Sequence, residues 1–203
     1  MLLLAGLGNP GAQYAWNRHN IGYMALDSIV QRHQMGAYRR RFRGLITHGR
    51  IAGVRLAALK PTTFMNDSGS AVGEAARFFK VPTSAVVVVH DDLDLVPGKV
   101  RVKTGGGHGG HNGLRSIDRH IGPDYKRVRI GIGHPGEKRL VHDYVLHDFA
   151  TADQDWLDRL LPALAEAAPY LVRGDDSGFM NKVSLLTNPR PAPPPSPGSD
   201  DGV

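Results

Sequence analysis

The chain has 203 residues, 41% hydrophobic and 22% charged, which is the balance of a globular chain of one or two domains and excludes wholesale disorder. The absence of cysteine excludes disulfides, thiolate metal sites and thiol nucleophiles together, and fits a reducing compartment. A formal net charge of +6 favours a polyanionic partner.

The first element is Leu2–Leu7, a continuous apolar run that reads as a buried strand. Residues 17–34 carry Ile21, Met24, Ala25, Ser28 and Ile29 at helical spacing. Runs 45–51 and 54–59 read as strands joined by an Ala52-Gly53 hairpin turn. Residues 68–80 predict a helix, and 85–89 (AVVVV) is the strongest buried-strand signal in the chain. A strand over 99–103, a helix over 112–121, a strand over 127–132 and a helix over 151–172 follow, the last despite Pro162 and Pro169. From Asn188 to Val203 the chain holds 6 of its 14 prolines and almost no large apolar residue. That composition predicts a disordered tail, leaving 1–187 as the folded domain. Strands alternating with helices predict an α/β layered domain, and the hairpin makes its sheet mixed. No apolar run approaches the roughly 20 residues of a membrane span. The start, Met1 to Gly6, lacks a basic leader, so a cytoplasmic chain with no membrane partner is expected.

The strands empty into polar clusters: Gly8-Asn9-Pro10-Gly11, then 60–66 (KPTTFMN), then His90-Asp91-Asp92-Leu93-Asp94, then 104–113 (TGGGHGGHNG). Ligand sites of open α/β sheets gather outside strand carboxyl ends, so these clusters are candidates for one crevice. An antiparallel strand would send its own cluster to the opposite edge. Residues 6–11 fit G-x-G-x-x-G, but Pro10 removes a backbone N–H from the loop and the helix starts late. No acidic residue follows at a second strand's end, so dinucleotide binding is not expected. The six glycines of 105–113 admit two readings, a turn needing positive φ or backbone bared to a ligand. His90, His108 and His111 lie near Asp91, Asp92 and Asp94, yet no zinc-type spacing is present and no metal or cofactor is expected. Arg39-Arg40-Arg41-Phe42-Arg43 is either a solvated face or a phosphate grip. His19 is a candidate base, provided that Asp91 or Asp94 reaches its ring.

Together GLGNPGAQY with RHNIG, KPTTFMNDSG, HDDLDLVPGKVRVKTGGGHGGHNGLRS and RVRIGIGHP resemble the bacterial-type peptidyl-tRNA hydrolase family, in its order and spacing, from Met1 to about Leu186. The match departs at Asn17, where the family usually has Thr or Ser. The resemblance implies a single three-layer α/β/α domain with a twisted mixed sheet. It implies hydrolysis of the ester between a peptide's C-terminus and the ribose 3′ end of tRNA, by a monomer acting on peptidyl-tRNA. His19 would activate water, with Asp91 orienting its imidazole; no Cys and no G-x-S-x-G elbow offers another nucleophile. Asn9, Asn66 and Asn112 match the family's site amides, with Asn66 chosen for the oxyanion. Tyr14, Phe64, Met65 and His111 would line the cleft. Lys103 and Arg129 would clamp the tRNA 5′ phosphate. The loop and helix from about Gly136 to Asp153 are a candidate gate.

Overall fold

The computed structural model describes residues 1–188; the expected tail falls outside these, apart from Asn188. Seven strands, β1 (Leu2–Gly6), β2 (Arg39–Arg41), β3 (Gly44–Ile51), β4 (Val54–Pro61), β5 (Val86–Asp92), β6 (Val100–Thr104) and β7 (Lys126–Gly131), form one sheet in the order β2-β3-β4-β1-β5-β7-β6. The four central strands β4, β1, β5 and β7 are parallel. Strands β3 and β6 run against them, which makes the sheet mixed as expected.

Helices cover both faces: α1 (Ile21–Arg32), α5 (Gln154–Val172) and α6 (Asp176–Thr187) on one, α2 (Ser68–Phe79) and α3 (Asn112–Ile121) on the other. This is why β1 and β5 read as unbroken apolar runs. Leu4, Val87 and Val89 pack with α1 and α5, while Leu3, Ala5, Val86 and Val88 pack with α2 and α3. Each such fully buried Leu or Val contributes about 1.5–3 kcal/mol. The apolar stripe Leu157, Leu160, Leu164 and Leu171 anchors α5 in this core and carries the helix through Pro162 and Pro169. The hairpin turn has positive φ at both Ala52 and Gly53, the geometry that matches strand twist in two-residue loops.

Edge strand β2 and helix α6 were not anticipated, whereas α4 (Val141–Leu146) lies in the region where a loop and helix were expected. The basic run over 39–41 forms the short edge strand β2, fully exposed, and its charges conceal the strand pattern. The short helix α4 buries only Val145. Helix α6 is capped by Asp175, whose side chain accepts from the Gly178 N–H at 2.8 Å. The predicted helix over 17–34 is a 3₁₀ turn, Arg18–Asn20, running into α1.

The G-x-G-x-x-G glycines have a packing role. A Cβ on Gly22 of α1 would run into the Val89 carbonyl and Leu7 N, and one on Gly6 into the Gly22 carbonyl. Helix α1 therefore lies directly against the ends of β1 and β5, which sets the approach of the residues just before it, His19 and Asn20. Both are buried.

Candidate active site

A cleft of about 820 Å³ opens at the carboxyl edge of the central strands. Every strand-end cluster reaches it: Asn9 after β1, Phe64, Met65 and Asn66 after β4, His90 to Asp94 at the end of β5, and 107–112 after β6. The last case needed a detour. Strand β6 is antiparallel to β7, so Thr104 lies at the far edge beside Lys126. The glycine loop carries the chain back along the sheet, with positive φ at Gly105, Gly106, Gly109 and Gly110, and delivers His111 and Asn112 to the cleft at the start of α3. The positive φ values bear out the turn reading of the glycines, and residues 107–110 line the cleft.

At the floor, His19 Nδ1 lies 2.9 Å from both carboxylate oxygens of Asp91. Asp91, not Asp94, is thus the acid that reaches the ring. His111 Nε2 lies 3.0 Å from the same carboxylate. The tautomers follow from the partners. His111 caps α3 through Nδ1, which accepts from the N–H groups of Gly113 (3.1 Å) and Leu114 (3.3 Å), so its proton is on Nε2 and is donated to Asp91. Against the ionised carboxylate, His19 likewise donates from Nδ1, and its Nε2 is left as a lone pair. Burial opposes ionisation of Asp91, but the two histidines and their hydrogen bonds outweigh it and hold the carboxyl well below its ordinary range. His19, Asp91 and His111 have ligand-type atoms within 4.8 Å of one another, yet the hydrogen bonds among them occupy those atoms, so the cluster is poorly suited to a cation.

The amides divide by environment. Asn9 is buried; its Oδ1 accepts from the Met65 N–H at 2.7 Å, which turns Nδ2 into the group free to donate. Its backbone N–H and C=O are both held at 2.9 Å by the Asn20 side chain. Asn20 was missed as a positioning residue, although it stands beside His19 in the RHN motif. Asn66 and Asn112 are exposed cleft residues, the latter in the first turn of α3, where helix N–H groups and dipole favour negative charge.

Met65 is buried in the cleft wall and Phe64 is 60% exposed at the rim. Tyr14 is not brought into the wall; its ring packs edge-on against Phe64 with centroids 6.5 Å apart. Lys103 and Arg129 both line the cleft on its β6–β7 side. Arg129 Nε donates to Asp92 at 2.7 Å. His90 also lines the cleft. It is buried, donates from Nδ1 to the Asp91 carbonyl at 2.7 Å, and its Nε2 has no partner. Burial first, then the neighbouring His111, push its pKa down to about 3, so it is neutral.

The roof comes from the 134–146 segment, with His134, Lys138, Val141, His142, Val145 and Leu146 facing the cleft. Arg18 ties this segment to the floor. Its guanidinium donates to the Asp148 carbonyl at 2.8 Å and to Asp153 at 3.2 Å, and lies over the Tyr144 ring, 4.4 Å from the centroid. The departure at Asn17 does not disturb the helix start: its side chain donates to Asp148 at 2.8 Å and makes no cap bond.

An α/β sheet carrying a His–Asp pair among neutral amides, in a cleft lined by no Ser, Thr or Cys among the described residues, fits the class of hydrolases. The family model described as Peptidyl-tRNA hydrolase matches residues 3–191. A Peptidyl-tRNA hydrolase of Ruegeria pomeroyi is 58% identical over 199 residues, 98% of this chain and 82% of that one. One of Parvibaculum lavamentivorans is 57% identical over 203 residues, 100% and 99% of the two chains. The crystal structure of peptidyl-tRNA hydrolase from Acinetobacter baumannii superposes with a TM-score of 0.86 at 39% identity, covering 92% of this chain and 95% of that chain. The chain belongs to the peptidyl-tRNA hydrolase family.

Proposed function

We propose that the chain cleaves the ester joining a peptide's C-terminal carbonyl to the ribose 3′ oxygen of tRNA, with His19 as the base. The observation that carries this is the His19 Nδ1–Asp91 pair at 2.9 Å, which directs the basic Nε2 of a buried ring at the cleft. Nε2 takes a proton from water as the oxygen attacks the carbonyl carbon. The tetrahedral intermediate places its negative charge on the former carbonyl oxygen, where Asn66 Nδ2 donates, helped by the α3 N-terminus. Collapse breaks the carbon–oxygen ester bond, and the imidazolium returns its proton to the leaving 3′ oxygen. Asp91 stays ionised throughout and stabilises the imidazolium.

Asn9 Nδ2 and Asn112 hold the peptide backbone or the attacking water, and Phe64 and Tyr14 form an apolar rim for side chains. Lys103 and Arg129, on the same side of the sheet, receive the tRNA 5′ phosphate. The enzyme works as a cytoplasmic monomer with no cofactor or metal in the chemistry, and residues 1–187 form the catalytic domain. Turnover of a blocked aminoacyl-tRNA by His19→Ala tests the assignment. The expected loss is about 10²–10⁴-fold in kcat, measured on variant protein shown to be folded; a wild-type rate would overturn it.

A further inference from the structure

Between Asp27 and Asp67 the chain holds seven arginines and one lysine and no acidic residue, more positive charge than the +6 of the whole protein. These residues build the β2–β3–β4 end of the sheet. Distant acids pair with three of them: Lys60 with Asp27 at 2.7 Å, Arg32 with Glu166 at 3.5 Å and Arg43 with Glu74 at 3.6 Å. Arg39, Arg40, Arg41, Arg50 and Arg55 have no acidic partner among the described residues, and all five are exposed.

Register puts four of the five on one face. Arg39 lies opposite Ile46 and Arg41 opposite Gly44 across β2–β3, while Arg50 lies opposite Arg55 across β3–β4. Side chains directly opposite share a face, and so do residues two apart in a strand. Ile46, Ala57 and Leu59 pack under α2, so Arg39, Arg41, Arg50 and Arg55 all emerge on the α2 side. Arg50 against Arg55 is a like-charge cross-strand pair, which by itself destabilises a hairpin; an anion bound between them would remove that repulsion. Arg41 is held in place, with its guanidinium 4.0 Å from the Phe78 ring centroid and 4.6 Å from that of Phe42. Stacking on rings leaves its N–H edge free for phosphate. His48 sits among these charges, and burial followed by Arg41 and Arg55 lowers its pKa, in keeping with the positive potential of this face.

The row follows the strands from the cleft edge, where Arg41 pairs with Gly44 beside Pro61, to the far edge at Arg50 and Arg55. It also lies toward the opposite end of the sheet from Lys103, four strand spacings away at Arg55 and six at Arg39 and Arg41, or about 19–29 Å. With the acceptor end of the substrate held on the β6–β7 side, as the proposed function has it, this row faces away from the bound stem. We propose that Arg39, Arg41, Arg50 and Arg55 form a second RNA surface, which grips the phosphate backbone of an RNA other than the substrate in the cleft.

The test uses the full chain and a 20-base-pair RNA duplex with no peptidyl ester, followed by fluorescence anisotropy across a salt series. The variant R39Q/R41Q/R50Q/R55Q is expected to bind the duplex at least tenfold more weakly at low salt. Its slope of log Kobs against log salt should fall by about 3.6, near 0.9 for each of four phosphate contacts. Its kcat/KM on a short peptidyl ester bearing only the 3′-terminal nucleotides should equal that of wild type, and saturating duplex should not compete with that substrate. Unchanged duplex affinity and slope would overturn the proposal, as would duplex competing with the short substrate. So would weakened binding confined to anionic lipid vesicles. R50Q/R55Q alone, at the exposed hairpin end, should give a slope change of about 1.8 and serves if the quadruple variant does not fold. Duplex binding is read without hydrolysis, so inactivity of the enzyme on peptidyl-tRNA would count against the proposed function and leave this surface standing.

Discussion

On the floor of the cleft Asn9, His19 and Asp91 are buried and hydrogen-bonded to other segments, whereas Asn66, Asn112 and Lys103 at the rim are exposed. Folding has already oriented the floor groups, so their donor and acceptor roles are set before any ligand arrives. The rim groups acquire theirs from the substrate. The floor should therefore lose catalysis and stability together when cut, and the rim should lose catalysis or affinity alone.

The largest effect should come from Asp91→Asn. The amide has no charge with which to stabilise an imidazolium, and with its oxygen toward His111 its NH₂ would face His19 Nδ1 at the Oδ2 position, forcing the wrong tautomer there. A kcat loss of about 10⁴-fold is expected by analogy with triad acids, measured in single-turnover hydrolysis. Asn66→Ala should cost about 10²–10³-fold in kcat with an unchanged melting curve. Asn9→Ala should add a stability loss of about 1–3 kcal/mol, because the Met65 N–H is left buried without an acceptor; urea titration separates the two amides. Equal stability of both variants would erase the contrast between floor and rim. Lys103→Ala should raise KM several-fold on 5′-phosphorylated tRNA and leave kcat alone. An undiminished preference for the phosphorylated form would remove the clamp.

The smallest effect is on pH dependence. His90 has an ordinary value of 6.5 that folding pushes down to about 3. The unfolded chain therefore takes up this proton first, so the stability it contributes is full above pH 6.5 and is lost progressively as pH falls toward 3. Between pH 6.5 and 5 the loss is about 2 kcal/mol. His90→Asn keeps a donor for the Asp91 carbonyl and does not titrate, so its urea midpoint should fall less than that of wild type over this range.

Much of this was legible in one dimension. The AVVVV run and the Leu2–Leu7 run announced strands buried on both faces, and the joint motifs marked His19, Asp91 and the three asparagines. Edge strand β2 was not legible, because an edge needs no apolar residue and its three arginines read as surface. Nor was the place of Tyr14 outside the cleft wall, and without the joint motifs spacing alone left Asp91 and Asp94 equal. Residue types and their spacing determined the elements and the inventory of reactive groups, since burial and local geometry act along the chain with short periods. Only the tertiary structure decided which nitrogen of His19 is spent on a carboxylate, how a loop from an antiparallel strand returns to the cleft, and that four arginines share one face. Those outcomes depend on strand register and on contacts between residues tens of positions apart, such as the 72 separating His19 from Asp91, and no local pattern encodes them.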